Sequence, residues 1–364
     1  MASGETLGHR RQTERLEARG SGSQGTEGDC AAALDEARAE LAVHLLHRSE
    51  QEDQDHLLKR LDATIRVTFG DDSAEPADFN ILVGGRPQRE QIVASPNLRA
   101  LIVPWAGLPE TTRDLMREFP HIAVHNLHHN ALAVAEMAVG LLLAATKGIV
   151  AADRALRAHD WTPRYKGRQP VLLQDRTALI LGYGAIGREV ARLCRALSMK
   201  VIATRRYGAT AIPGEADEVH PAEALHGLLP RATALIVCLP HTPETSGLIG
   251  ERELALLPPE AILVNVGRGQ VVVEEALYQA LVTGRLGSAG LDVWYNYPAD
   301  EAARSCTPPS TYPFHELENV VMSPHRAGNA ASIERLRMEH LAISLNAAAR
   351  GDSIPHRVDL DAGY

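Results

Sequence analysis

The stretch that decides the fold runs from Thr177 to Leu197 and reads TALILGYGAIGREVARLCRAL. An apolar strand pattern leads directly into a Gly-x-Gly-x-x-Gly turn, and a helical pattern follows. In such a turn Gly182 permits the tight bend, Gly184 lets the backbone approach a pyrophosphate, and Gly187 allows the helix to pack closely on the strand. This context predicts a dinucleotide site with the pyrophosphate at the helix N-terminus. A purely structural glycine turn is the alternative.

Two arginines end the next predicted strand. Arg205 lies 18 residues after Gly187, where an NAD site usually has a carboxylate that binds the ribose hydroxyls. An arginine at this place pairs instead with a 2′-phosphate. The sequence therefore favours NADP(H), bound by Arg205 and Arg206. NAD(H) is the alternative if both arginines are merely solvated.

Strand and helix patterns alternate along the rest of the chain, which predicts parallel sheets covered by helices. We expect helices over Gln54–Leu61, Asn130–Arg157, Arg188–Leu197 and Ala330–Ala349. The predicted strands are Leu41–Leu46, Ala63–Phe69, Phe79–Val83, Leu98–Val103, Thr177–Leu181, Lys200–Thr204, Ala234–Leu239, Ala261–Val266, Ser288–Val293 and Val320–Ser323.

Composition narrows the class of protein. The chain has 364 residues, of which 45% are hydrophobic and 23% charged, with a net charge of −9. This acidity argues against nucleic-acid and membrane-surface partners. The scattered Cys30, Cys194, Cys238 and Cys306 favour reduced thiols. Because the polar stretch Met1–Asp29 lacks the apolar core of a signal peptide, we expect a disordered tail and a cytoplasmic protein.

Five motifs, in this order, resemble the D-isomer-specific 2-hydroxyacid dehydrogenases, which include D-lactate, D-3-phosphoglycerate and glyoxylate/hydroxypyruvate enzymes. The resemblance extends from about Leu41 to Tyr364. Its segments are LGYGAIGREVARL (181–193), CLPHTPETSGLI (238–249), AILVNVGRGQVVVEEAL (261–277), GRLGSAGLDVW (284–294) and NVVMSPH (319–325).

The resemblance implies a hydride transfer between substrate C2 and a nicotinamide. Arg268 matches the family arginine that binds the carboxylate and polarises the carbonyl, for which a guanidinium fork is suited. His325 matches the general acid/base, and Asp292 the residue that holds the nicotinamide carboxamide. The backbone amides of Trp105, Ala106 and Gly107 match those that receive the substrate carboxylate. Further cofactor contacts implied are Ala185, Ile186, Leu239, Pro240, His241, Thr242, Thr245 and Val266.

One family position departs from the pattern. Tyr297 replaces the glutamate that pairs with the catalytic histidine. Since a phenol only hydrogen-bonds, we expect a less basic His325 and a lower pH optimum for reduction, unless Glu316 or Glu318 reaches the ring. Val273 likewise replaces a common aspartate.

The resemblance implies that a histidine-rich loop lies beside the substrate pocket. His128 is a candidate substrate contact, as is His129, although solvated loop histidines are the favoured interpretation. We expect no metal, because no carboxylate or cysteine stands at matching spacing. The loop histidines are His121, His125, His128 and His129.

Together these features predict an α/β protein of two doubly wound, Rossmann-like domains with the active site in the cleft between them. The expected domains are a tail (1–36), a discontinuous substrate domain (37–148 plus 327–364) and a dinucleotide domain (149–326). The resemblance implies reduction of a small anionic 2-oxo acid to a D-2-hydroxy acid by a homodimer, and the two arginines favour NADPH as the cofactor. The alternatives are D-3-phosphoglycerate oxidation, oxidation of a small acid such as formate or phosphite, and a nucleotide-sensing protein of corepressor type.

Overall fold

The computed structural model describes residues 40–70, 77–206 and 215–363. The predicted tail and Cys30 lie outside these ranges. Most strands are short, largely apolar runs, typical of parallel strands covered on both faces. The described strands are β1 (Leu41–Leu45), β2 (Ile65–Phe69), β3 (Ile81–Val83), β4 (Ala100–Val103), β5 (Ala123–Asn126), β6 (Thr177–Leu181), β7 (Lys200–Arg205), β8 (Glu218–Pro221), β9 (Ala234–Val237), β10 (Ile262–Asn265), β11 (Ser288–Leu291) and β12 (Val320–Met322).

These strands form two parallel sheets. The first has the order β2-β1-β3-β4-β5 and the second the order β12-β11-β10-β9-β6-β7-β8. The direction of winding reverses between β1 and β3 in the first sheet and between β6 and β9 in the second. Ligands bind outside the carboxyl ends of strands at such switch points. The predicted fold class is confirmed.

Helices connect the strands. Strands β5 and β8 were not predicted; both are short, and His125, Asn126, His220 and Pro221 interrupt their apolar patterns. The helices are α1 (Gln51–Leu58), α2 (Arg89–Val93), α3 (Glu110–Arg117), α4 (Ala131–Lys147), α5 (Ile149–Arg157), α6 (Ala185–Ala196), α7 (Leu225–Leu228), α8 (Glu251–Leu256), α9 (Glu274–Val282) and α10 (Ile333–Ala349).

The prediction of one helix over Asn130–Arg157 is wrong. Gly148 takes a left-handed conformation with φ of 63°, which ends α4 as a C-cap because a right-handed helix cannot continue through it. Helices α4 and α5 therefore meet at a bend of 62°. In the described part of the chain no single helix is long and apolar enough to cross a bilayer, although this bent pair together passes that test.

Two helices each pack on a sheet whose strands are distant from them in sequence. In α10, Leu341 and Leu345 share a buried cluster with Val43 and Ile81 of the first sheet. Helix α4 packs instead on the second sheet, so closely that a Cβ built on Gly290 of β11 would lie 2.8 Å from Cβ of Leu141. The chain thus passes from the first sheet to the second and returns to the first through α10. The domain boundary at residues 148–149 remains a prediction.

Candidate active site

The glycine turn lies between β6 and α6. Gly182 has φ of 96°, and a Cβ on it would lie 3.1 Å from the carbonyl oxygen of Cys238. A Cβ on Gly187 would lie 2.0 Å from the carbonyl oxygen of Gly182, so only glycine lets α6 approach the turn. The space at Gly184, by contrast, is open to 4 Å. The turn leaves the N-terminus of α6, at Ala185 and Ile186, accessible to a pyrophosphate.

Arg205 ends β7 and Arg206 follows it, next to this turn. The amide of Tyr183 donates to the carbonyl of Thr204 at 2.9 Å, which joins the turn to β7. Burial and a hydrogen bond to Glu215 raise the pKa of Tyr183 to about 12, and the nearby Arg205 opposes that shift. Both arginines are exposed. They therefore stand where the sequence predicts a phosphate contact.

The sequence does not predict that Glu244 lies beside Arg206. Its carboxylate lies 3.4 Å from Nη2 of Arg206 and accepts a 2.8 Å hydrogen bond from Oγ1 of Thr242. These contacts lower the pKa of Glu244, chiefly through the Thr242 bond. Thr242 and Glu244 both belong to the LPHTPET motif. The sequence of this motif does not indicate that Arg206 would reach Glu244.

The loop after β9 lies at the switch point between β6 and β9, next to the glycine turn. The hydroxyl of Thr245 donates to the carbonyl of Pro240 at 2.6 Å and so closes the loop on itself. A Cβ on Gly267 would lie 2.4 Å from the carbonyl oxygen of Leu239, so the chain after Val266 runs directly beside this loop. His241 is exposed and Val266 is buried.

Arg268 follows β10 and faces the first sheet. Its Nη1 donates to the carbonyl of Gly267 at 2.7 Å, and its Nη2 lies 2.6 Å from where a Cβ of Gly107 would be. Burial lowers the pKa of Arg268, with Tyr297 opposing, yet arginine stays protonated in proteins. The structure therefore brings the Trp105–Gly107 loop and Arg268 together from the two sheets.

Asn126 orients that loop. Its Nδ2 donates to the carbonyl of Ala106 at 2.8 Å, and its own amide bonds the carbonyl of His356 at 3.1 Å. No local sequence pattern assigns Asn126 this role, because its partners are distant in sequence.

His325 is held in an unusual backbone conformation. It is a non-glycine residue with φ of 52°, which side chains rarely adopt. The fully buried carboxylate of Asp292 fixes this turn by accepting hydrogen bonds from the amides of Arg326 at 3.0 Å and Ala327 at 2.9 Å, and from the hydroxyl of Ser323. Asp292 thus positions His325, a role beyond the one expected for it.

Tyr297 contacts His325 directly. Its hydroxyl lies 2.8 Å from Nδ1 of His325 and accepts a 3.2 Å hydrogen bond from the amide of Trp294. A phenol can donate to a neutral ring nitrogen or accept from a protonated one. Glu316 lies instead 3.9 Å from Nε2 of His315.

Electrostatics in this cluster disfavour a charged imidazole. Partial burial lowers the pKa of His325, Arg268 lowers it further, and Asp292 opposes both. Partial burial raises the pKa of Tyr297, with the amide of Trp294 and Arg268 opposing. The lowered pKa of His325 agrees with the expectation of a less basic histidine.

The prediction of solvated loop histidines is wrong for most of the loop. His125 and His129 are 5% exposed, and His128 is half-buried with its ring centroid 4.5 Å from that of His356. Burial lowers the pKa of His128 and of His129 to about 4; neighbouring histidines contribute at both, and Arg337 contributes at His129. The cause is the C-terminal part of the chain, which covers the loop. Across residues 40–70, 77–206 and 215–363, no group of three His, Cys, Asp or Glu side chains is arranged to hold a metal ion.

Comparisons with known proteins agree with this architecture. The model of the D-isomer specific 2-hydroxyacid dehydrogenase NAD-binding domain matches residues 139–327. D-3-phosphoglycerate dehydrogenase of Mycobacterium leprae is 33% identical over 276 residues, which are 75% of this chain and 49% of that protein. The chain thus spans about half the length of such relatives. Glyoxylate reductase of Thermococcus litoralis is 36% identical over 237 residues, or 63% of this chain and 67% of that protein.

Solved structures show the same fold. NADPH-dependent glyoxylate/hydroxypyruvate reductase from Sinorhizobium meliloti, in complex with NADP and sulfate, superposes with a TM-score of 0.72 at 24% identity, over 89% of this chain and 100% of that one. A D-isomer specific 2-hydroxyacid dehydrogenase from Xanthobacter autotrophicus, in complex with NADPH and MES, also gives 0.72, at 25% identity over 90% and 100% of the two chains. The chain belongs to the D-isomer-specific 2-hydroxyacid dehydrogenase family.

Proposed function

We propose that the protein reduces small 2-oxo acids to D-2-hydroxy acids with a nicotinamide cofactor. The observation that carries the proposal is the proximity of Arg268 both to Gly107 of the Trp105–Gly107 loop and to the hydrogen-bonded Tyr297–His325 pair. The open backbone at Gly184 and the close packing at Gly187 fit a dinucleotide. When bound, the reduced nicotinamide supplies the hydride.

The chain's own residues perform the remaining steps. Arg268 and the loop amides bind the substrate carboxylate, and the guanidinium also polarises the C2 carbonyl. His325, protonated, donates its proton to the carbonyl oxygen as the alkoxide forms. Because Nδ1 is bonded to Tyr297, the proton leaves from Nε2. The phenol oxygen therefore accepts from Nδ1–H before and after the transfer, which keeps the imidazole oriented through the cycle.

We further propose a preference for NADP(H). Arg205 and Arg206 support it, because a 2′-phosphate gains charge-assisted hydrogen bonds at this corner. The similar proteins from S. meliloti and X. autotrophicus hold NADP and NADPH. Glu244 weakens this preference, because its carboxylate pairs with Arg206 and so competes with a 2′-phosphate for the guanidinium.

A turnover assay tests the proposal. Glyoxylate, pyruvate and hydroxypyruvate are each supplied with NADPH and with NADH, and loss of reduced cofactor is followed by absorbance. We expect turnover with NADPH at the higher kcat/KM. Tight cofactor binding without turnover of any 2-oxo acid would favour a nucleotide-sensing protein, which the loss of the family carboxylate at Tyr297 also suggests. Turnover of D-3-phosphoglycerate, formate or phosphite alone would show instead a dehydrogenase that oxidises that acid.

We propose that the enzyme works as a homodimer in the cytoplasm. Every residue of α5 is at least partly exposed, and the arm from 149 to 172 carries a run of exposed apolar side chains that a second copy would cover. The free thiols of Cys194, Cys238 and Cys306 suit a reducing compartment. Sedimentation of the purified protein is expected to give twice the chain mass. The exposed side chains are Ile149, Val150, Leu156, Trp161, Tyr165 and Leu172.

A further inference from the structure

After α10 the chain returns to the edge of the first sheet, at β5. The amide of Val358 donates to the carbonyl of Val124 at 2.8 Å, and Arg357 forms an antiparallel bridge with His125. Val358 is buried in a hydrophobic cluster of this sheet. The residues that follow are therefore anchored to the first sheet.

Residues 359–363 form a compact turn, which we call the Asp359 turn. Oδ1 of Asp359 accepts hydrogen bonds from the amides of Asp361 at 2.9 Å and Ala362 at 3.0 Å. The carbonyl of Asp359 accepts a third from the amide of Gly363 at 2.8 Å. Aspartate commonly closes turns through its own side chain. These bonds hold Asp359 and Gly363 close together.

The Asp359 turn touches the loop after β9, which belongs to the second sheet. A Cβ on Gly363 would lie 3.8 Å from Cγ2 of Thr242 in that loop, and 3.5 Å from Nη1 of Arg113 on α3. Helix α3 connects β4 to β5 of the first sheet. The turn thus links the two sheets beside the corner where the 2′-phosphate is proposed to bind.

Two carboxylates, one carried by each sheet, lie near Arg206 at this corner. Thr242 donates to Glu244, whose carboxylate is 3.4 Å from Nη2 of Arg206. Asp359 approaches from the other side. The amides of Ala362 and Asp361 lower its pKa most, and the charge of Arg206 lowers it further. A 2′-phosphate at Arg206 would therefore meet the negative charge of Asp359 as well as that of Glu244.

We propose that Asp359 is a cofactor-specificity residue that acts through Arg206. From the first sheet it offsets part of the positive charge that a 2′-phosphate binds, and so it weakens NADPH binding without affecting NADH. This inference rests on the proposed role of the arginine corner in binding NADP(H). It assigns part of the cofactor preference to a segment outside the dinucleotide fold.

The expected effect is modest, because Asp359 and Arg206 are both exposed and water and salt screen exposed charges. A phosphate monoester carries a charge of about −1.5 to −2 at pH 7, and NADH lacks this group. Removing the charge of Asp359 should therefore lower the Kd for NADPH by about 2- to 4-fold at low ionic strength. The Kd for NADH should not change.

Binding titrations that follow the fluorescence of the reduced nicotinamide test the proposal. The Kd values for NADPH and NADH are measured in the wild type and in Asp359→Asn, which removes the charge but keeps Oδ1 as the acceptor that closes the turn. Asp361→Asn is the matched control. It removes one charge from the same turn, at a side chain that is 98% exposed and lies 4.0 Å from Arg117, and it should leave both Kd values unchanged.

Two further measurements separate an electrostatic role from a structural one. The gain in NADPH affinity should shrink in high salt. In an Arg206→Ala background, Asp359→Asn should lose most of its effect, because the residue through which it acts is gone. Thermal melting shows whether each variant is folded. Asp359→Ser, whose hydroxyl can also accept from turn amides, replaces Asp359→Asn if the latter is not.

The possible outcomes distinguish this inference from the proposed cofactor preference. An unchanged or raised Kd for NADPH in Asp359→Asn, an equal change for both cofactors, or an equal effect of Asp361→Asn overturns the role of Asp359. An undiminished effect in the Arg206→Ala background shows that Asp359 does not act through Arg206 and overturns the inference too. Tighter binding of NADH than of NADPH by the wild type contradicts the NADP(H) preference, whatever the Asp359 variants show.

Discussion

Replacing Tyr297 by glutamate should restore a charged partner to His325 and move the pH dependence of reduction. In the wild type a phenol lies 2.8 Å from Nδ1, and partial burial and then Arg268 hold the pKa of His325 below its ordinary value. Reduction needs the protonated ring. Its rate is therefore full below this pKa and is lost as pH rises through it.

The size of the shift follows from the geometry. A glutamate is shorter than a tyrosine, so its carboxylate would lie roughly 5 Å from the His325 ring. With an effective dielectric constant of about 40, the carboxylate and the protonated ring would attract each other by about 1.7 kcal/mol. This intermediate dielectric constant applies because Tyr297 is 46% exposed and solvent screens the pair. That attraction corresponds to a rise of about one unit in the pKa of His325.

The assay is the pH profile of kcat/KM for 2-oxo acid reduction at saturating cofactor. The falling limb of Tyr297→Glu should lie about one unit above that of the wild type, and salt should shrink the difference. Tyr297→Gln, of the same size but uncharged, is the control and should not show this rise. Coincident limbs for the Glu and Gln variants would refute the electrostatic reasoning.

Further predictions concern the cofactor site. Arg205→Ala should raise the Kd for NADPH about tenfold through loss of a charge-assisted phosphate contact while the Kd for NADH stays within twofold; equal losses for both cofactors would contradict the role of Arg205. Gly187→Ala should destabilise the fold by about 2–3 kcal/mol in thermal melting, because its Cβ would lie 2.0 Å from the Gly182 carbonyl oxygen. Gly140→Ala, on α4 with open space around it, should instead stabilise by about 0.5–1 kcal/mol, and a reversed order would show that the packing argument is wrong.

The sequence predicts the two sheets well because their signals are local. The run from Thr177 to Gly187 contains a strand, a turn and a helix start within a few residues, and each is found. Helix ends are harder to predict. Gly140 and Gly148 look alike in the sequence, yet only Gly148 adopts a left-handed conformation and ends the helix.

Parts of the site depend on contacts between distant segments. Arg268 and His325 are identified through family motifs, and their proximity to Gly107 and Tyr297 then follows from the fold. The burial of His128 depends on His356, more than two hundred residues away. No local pattern records such contacts, so these residues emerge only from the structure.

The role of His325 as proton donor is tested most directly by NADPH-dependent glyoxylate turnover in His325→Ala, with the Kd for NADPH measured on the same preparation. We expect kcat to fall by about 10²- to 10⁴-fold, the usual contribution of a positioned general acid, while the Kd stays within about threefold. Turnover within tenfold of the wild type would contradict the assignment of His325 as the proton donor.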